Sequence, residues 1–476
     1  MLKKIFRDRG LRYWLPAYFI QAAASVFQKR GQGRATQHII FLICDHYEPK
    51  HKTTKSNQDV ERVRTWVKEY PEFAERCKKE FGHYPRHSWF YPPHHGLEHL
   101  QGLNELVFKG YGELELHYHH DNDTSETFTN DIKETIKNYN QLGILLGSAE
   151  QLRPCFSFIH GDWALDNSAH GKYCGVNDEL TILQNEGCWG DFTMPSAEEC
   201  QTRKINSIYY AIDDPYRPKS HDKGIDARVG IKNPRGLFMM QGPLGINWGA
   251  PKTPKIENAS LTSSNWGRKD RVKYWINCGI HVKGKPEWTF VKLHTHGAVE
   301  KDHDALIGER AFKMHQYLNQ NYNDGSKYKL HYVTAREAFN ICKAAEDGCD
   351  GDPDDYFDYV IKPYANNYYR TSRPHVLKQC SDSNIEIEYL EKGLDNRIDV
   401  KNILVKSIKG RINHLNIDRS LLSICIKTEN DEQIEIDVAD GYSLESASVG
   451  FFEKNGNTFV VKISGGDVTL NFSKLN

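Results

Sequence analysis

The chain has 476 residues, 39% of them hydrophobic and 26% charged, with a formal net charge of −1. That length exceeds one small core and suggests two or three globular domains, while the near-zero charge excludes general attraction to nucleic acid. Eleven cysteines, odd in number and without a Cys-x-x-Cys pair, argue against a disulfide framework and for a reducing compartment; all eleven read as small buried hydrophobes.

Residues 1–36 form a basic amphipathic arm. Residues 1–34 carry eight Lys/Arg against one Asp. The uncharged stretch from Tyr13 to Gln28 is too short for a membrane span and contains Pro16. Two readings stay open: a helix that docks on the protein, or a peripheral anchor at the cytoplasmic leaflet with Trp14, Tyr18, Phe19 and Phe27 at the interface.

From His38 to Cys44 a continuous apolar run ending in Asp45 suits a buried parallel strand. Helical spacing over 58–81 follows, then a short strand His87–Tyr91 broken by Pro92-Pro93. A helix leads to a strand over 113–119. The alternation continues with a helix at 125–142, a strand Cys155–Ile159, a helix at 176–186 and a strand Cys188–Thr193. Trp288–His294 is a strand, 304–320 a helix and Leu330–Val333 a last strand before the helix 335–346. Residues 203–270, rich in Pro, Gly, Asn and Lys with one strand-like piece from Gly236 to Gln241, break the rhythm as an insertion and read as a substrate-side lid.

Alternation over some 300 residues points to an α/β fold, a parallel barrel or an open sheet, with chemistry at the carboxyl ends of strands. Residues 347–380 form a linker that starts with an acidic run. Over 381–476 short alternating strands, separated by turns such as Gly465-Gly-Asp467, predict a small all-β sandwich.

Two strand ends concentrate metal-ligand chemistry: Glu113-Leu-Glu-Leu-His-Tyr-His-His-Asp121 and Val291-Lys-Leu-His-Thr-His296. Imidazole nitrogens and carboxylate oxygens are the ligands Zn²⁺ selects, and residues two apart on a strand share a face, so His117 and His119 point the same way. Asp121 can turn back toward the same cation, and Asp45 is available as base or ligand. His294 suits the general acid, with His296 beside it. In His160-Gly-Asp162-Trp163, Trp163 can stack on a pyranose face while Asp162 and Asp166 accept hydroxyl hydrogen bonds.

The order of these segments resembles the polysaccharide deacetylases, the NodB-homology carbohydrate esterases, over about residues 37–345. The family's first strand ends in Thr-Phe-Asp-Asp, here Ile43-Cys-Asp45-His46; its second matches Ser88-Trp-Phe-Tyr91. Its Gly-His-Glu-Ile-Gly-Asn-His run, followed by a further His, falls at Gly112 to His117 and Asp121. Its Arg-x-Pro-Tyr and Leu-Leu-His-Asp motifs fall at His160–Trp163 and Lys292–Thr295. The resemblance implies a distorted (β/α) barrel that removes acetyl groups from amino sugars or polysaccharide with a divalent metal. It implies Asp45 and His294 as catalytic groups, and Asp45, His46, His117, His119 and Asp121 as the metal set. His160, Asp162, Trp163, Asp166 and His296 would then bind substrate. The departures leave alternatives. His46 takes the place of the second Asp, or Asp45 is the ligand and the base is another group such as Glu48. A metal-independent glycoside hydrolase using Asp45 and Asp162, and a non-catalytic glycan-binding or scaffold protein, are the competing classes.

Overall fold

The computed structural model describes residues 9–28, 35–141, 146–147, 154–232, 234–251 and 253–361, and most of the strands that follow Leu377. These residues divide into two compact units. The first comprises 1–102, 112–135 and 148–361; the second comprises 103–111, 136–147 and 362–476.

In the first unit a parallel-rich sheet is built around β1 (Gln37–His46), whose run His-Ile-Ile-Phe-Leu-Ile-Cys is buried nearly throughout. Apolar side chains on both faces require cover on both faces, which is the condition of a central parallel strand. One edge of β1 pairs along its length with β8 (Trp288–Thr295), from His38 opposite Trp288 to Asp45 opposite Thr295. The other edge is shared. Its first half pairs with β9 (Tyr328–Tyr332) and its last residues, Cys44 to His46, pair with β2 (His87–Tyr91). The sheet continues in parallel through β3 (Gly112–Tyr118), β4 (Pro154–His160) and β5 (Cys188–Asp191).

Beyond β5 the rhythm changes. β7 (Leu237–Met240) joins β5 in parallel, and β6 (Ile208–Ala211) returns antiparallel to β7. The segment 203–270, expected as a lid, therefore supplies strands to the main sheet; its Gly and Pro punctuate short strands instead of a long loop. The ladder runs from β8 at one end to Ile225–Asp226 at the other, and between those ends stand single bridges, Ile280 with Phe290 of β8 and Lys283 with Arg228. The expected barrel is seen at the coarser level of a mixed, parallel-rich α/β sheet.

Helices cover it. In α2 (Gln58–Phe81) Val63, Trp66, Tyr70, Phe73 and Cys77 repeat every three to four residues and are the buried stripe. The helix α7 (Ala335–Glu346) opens with a capping box in which Thr334 and Glu337 satisfy each other's backbone N–H. Residues 347–361, expected as linker, close onto α7: Arg336 binds Asp358 and the carbonyls of Phe357 and Ile361, and Asn340 binds the same two carbonyls. At the other end of the unit, α1 (Leu11–Gln28) seats Trp14 in a cluster with Ala197, Ile205 and Leu244. Tyr18 donates to the Ile246 carbonyl, while Phe19 and Ile20 face solvent. Residues 1–8 and the side chain of Phe27 lie outside the described residues. No described helix is long and apolar enough to cross a membrane.

The second unit, by itself, is an antiparallel sheet centred on Ser423–Val438 paired with Thr458–Lys474. Ile424, Ile426, Ile434, Ile436, Phe459, Val461, Val468 and Leu470 are buried at the period of two that the sequence displays. The turn expected at Gly465-Gly-Asp467 is instead an irregularity inside one long strand, where both glycines hold positive φ. All the described strands here belong to one sheet, so the sandwich is seen only as an antiparallel β domain.

Candidate metal centre

The parallel strands all end on one edge of the sheet, and that edge gathers the imidazoles. His46 closes β1, with Glu48 two residues on; His117 and His119 lie at the end of β3; Asp162 and Trp163 follow β4; His296 follows β8. Together they line a cavity of about 420 Å³, with His51, Lys52, Thr262 and Lys301 toward its mouth. A larger cavity of about 770 Å³ beside α1, lined by Tyr18, Trp248 and Tyr274, has no convergence of ligating groups. The ligating groups converge in the smaller one.

Three donor atoms meet there: Glu48 Oε1, His117 Nε2 and His119 Nε2. His117 Nδ1 donates to the Ile159 carbonyl (2.8 Å), and His119 Nδ1 donates to Asp162 Oδ2 (3.2 Å). Both bonds leave Nε2 as the lone-pair nitrogen, which is how ligating histidines are oriented from behind. The two Nε2 atoms are 3.0 Å apart, and Glu48 Oε1 lies 3.0 Å from His119 Nε2 and 3.8 Å from His117 Nε2. Three acceptors at these separations repel one another unless a proton or a cation sits among them. Donors bound to Zn²⁺ at ~2.0–2.1 Å in a tetrahedron stand about 3.3 Å apart, and the observed separations bracket that value.

The electrostatics agree. Burial would raise the Glu48 carboxyl, but hydrogen bonds from His117 and His119 outweigh it and hold it well below the usual carboxylate range. Burial likewise works against charge on His119, yet Asp162 and Glu48 raise it to about 9, so a proton on Nε2 fills the gap that a cation would otherwise take. His46, with its ring 4.8 Å from that of His117 and 4.9 Å from that of His296, is kept neutral by burial, and its Nε2 has no partner. An orphaned nitrogen beside two imidazoles and a carboxylate fits a site made for a cation. Close packing holds His119 in place: a Cβ at Gly161 would lie 2.4 Å from its ring.

The sequence-predicted residues divide between this cavity and other places. His46, His117, His119, Asp162, Trp163 and His296 line it. Asp45 does not, because successive strand residues face opposite sides and His46 takes the cavity side. Asp45 is fully buried, accepting from Gly297 N (2.6 Å) and bonded to His87 Nε2 (2.9 Å). Each of its oxygens holds a short bond that ties strand ends together. Asp121 is exposed and accepts from Tyr173 N, away from the cavity. His294 lies behind His46 and Trp163, buried, with Nδ1 unpartnered. His160 turns to His120 and Glu179, and Asp166 accepts from Ser220 N, so neither reaches the cavity.

Two histidines that sequence reasoning passed over stand beside this cavity without lining it. His94 packs its ring 5.4 Å from that of His119, and His95 Nδ1 accepts from Lys50 N. The signal for them was available: Pro92-Pro93-His94-His95 is another strand end carrying imidazoles.

No protein-family model and no curated protein matches the chain. Among solved structures it is similar to a protein of Parabacteroides distasonis bearing the provisional name glycoside hydrolase/deacetylase, at 10% identity and a TM-score of 0.37, over 85% of this chain and 81% of that one. At that level the likeness decides nothing about the site, which rests on its own geometry.

Proposed function

We propose that Glu48, His117 and His119 hold a divalent cation, Zn²⁺ by donor type, and that the protein is a metal-dependent hydrolase acting on acyl groups. The supporting observation is the set of three converging acceptors, the two histidines oriented from behind, at the floor of a cavity that stays open. A closed fourth position would suit a structural site; an open one suits catalysis.

A cation held there supplies Lewis acidity, polarising an acyl carbonyl and making water acidic enough to attack near neutral pH. The chain's residues do the remainder. His46, neutral and with Nε2 unpartnered, accepts the proton of the attacking water. His296, at the rim with its side chain 30% exposed and its ring 4.9 Å from that of His46, takes that proton on and delivers it to the departing nitrogen or oxygen as the C–N or C–O bond breaks. His294 supports His46 and Trp163 from behind, so the acid assigned to it from the sequence passes to His296.

The substrate reading is the acetyl group of an amino sugar or polysaccharide. Trp163 offers an aromatic face beside the donors, Asp162 accepts hydroxyl hydrogen bonds, and about 420 Å³ lies within the ~300–1,000 Å³ typical of small-ligand sites. The test is acetate release from N- and O-acetylated amino sugars by metal-depleted protein, before and after Zn²⁺ is restored. Release that returns with the metal supports the reading. Glycosidic cleavage indifferent to chelator would move the protein to the glycoside hydrolases, and sugar binding with no turnover under any divalent metal would make it a binding protein.

A further inference from the structure

Immediately behind the cavity, a second group of donors faces inward. His120 follows His119 at the end of β3, and His160 ends β4. Cys174 comes from the loop beyond β4, and Glu179 opens α4 (Glu179–Asn185). The donor atoms of all four lie within 4.8 Å of one another. None has a role in the acyl-transfer reading above.

Their orientation repeats the logic of the first set. His120 Nδ1 donates to Asp123 Oδ2 (2.9 Å), and His160 Nδ1 donates to the Gly161 carbonyl (2.5 Å), so both Nε2 atoms carry lone pairs. Those nitrogens stand 2.9 Å apart, and Glu179 Oε1 lies 3.2 Å from one and 3.3 Å from the other. The triad thus has the spacing of about 3.3 Å that a tetrahedral ion imposes. Cys174 Sγ lies 3.6 Å from the other Glu179 oxygen and receives the backbone N–H groups of Asn167 (3.3 Å) and Val176 (3.4 Å). Two N–H groups aimed at one sulfur fix its position beside the triad.

We propose that His120, His160, Cys174 and Glu179 form a second metal centre, separate from the first, that takes Zn²⁺ and serves structure. The donor set N₂OS suits that ion, and four protein ligands leave no open position. Enclosure is complete: the side chains of His120, His160 and Glu179 are at most 3% exposed, and Cys174 is buried. The centre ties β3, β4, α4 and the loop between them. That loop needs tying, since Asp162, Trp163, Asp166, Asn167, His170 and Tyr173 all hold left-handed φ. Side chains rarely adopt that region, and such strain persists only where surroundings enforce it. Because His119 precedes His120 and Asp162 follows His160 by two, the second ion would fix the position of the first site's walls.

Cobalt substitution of the full-length protein reads the two centres separately. Only a cysteine-ligated Co²⁺ gives a near-ultraviolet thiolate-to-metal charge-transfer band, and the first centre has no sulfur. The band is expected in the wild type, retained in His117→Ala, and lost in both Cys174→Ser and Cys174→Asp; the aspartate keeps a ligand in case serine unfolds the loop. Zinc content should fall by one equivalent in Cys174→Ser and by a different one in His117→Ala. Absence of the band in the wild type, or its survival in either Cys174 variant, overturns the second centre whatever becomes of the first. Loss of acetate release with the band intact would strike the proposed function alone.

Discussion

Asp45 and Glu48 are three residues apart, yet strand geometry sends them to different environments. Asp45 points away from the cavity into a buried pair of hydrogen bonds, whereas Glu48, past the end of β1, turns into it with its side chain 6% exposed. Asp45→Asn is therefore expected to leave metal content unchanged and to lower stability by ~1–3 kcal/mol, the cost of weakening buried charge-assisted bonds. Glu48→Gln should do the reverse, losing the first ion with stability largely kept. Metal analysis and urea denaturation of the two variants check both halves, and metal loss in Asp45→Asn would return that residue to the ligand set. At Trp163 a third outcome is expected. Trp163→Ala should raise KM for an acetylated sugar by roughly tenfold, about 1.4 kcal/mol, with kcat little changed, because stacking binds the sugar without touching the reacting bond.

Among the elements, legibility followed hydrophobic period and strand ends. The apolar run of β1, the stripe of α2 and the alternation around His117 were readable because burial imposes those periods. What resisted reading depends on partners distant in sequence. β6 is four residues long, and only pairing with β7 and with Ile225–Asp226 makes it a strand. Cys174 looked like any small hydrophobe because nothing local tells that its loop returns to His120. For α1, composition could not choose between membrane and protein, and packing favours the protein for Trp14 and Tyr18. Trp14→Ala is expected to cost ~3–5 kcal/mol and to expose α1 to limited proteolysis. Phe19→Ser with Ile20→Ser should stay within ~0.5 kcal/mol for each, since both side chains face solvent. Equal effects from the two sets would place the wrong face of α1 against the protein.

At the scale of the whole molecule, the two units can be followed separately, because all nine tryptophans fall between Trp14 and Trp288 and therefore in the first unit. Tryptophan fluorescence reads the α/β unit alone. Its response to acid should carry the mark of His315, on α6 (Glu309–Tyr322), which is buried against Phe41 and Phe73 with Nδ1 bonded to the Tyr332 hydroxyl. Desolvation, with His83 adding to it, lowers this histidine to about 3. The unfolded chain takes up a proton near 6.5, whereas the native state refuses it until about pH 3. The unfolded state thus binds more protons in that window, and native stability must fall as pH drops below 6.5, by about 1.4 kcal/mol per unit from this group. Between pH 7 and pH 5 the wild type should lose about 2 kcal/mol more than His315→Gln, whose side chain does not titrate. Urea midpoints followed by fluorescence give the comparison, and a difference that stays constant with pH would mean that His315 takes up its proton as readily in the folded protein as in the unfolded chain.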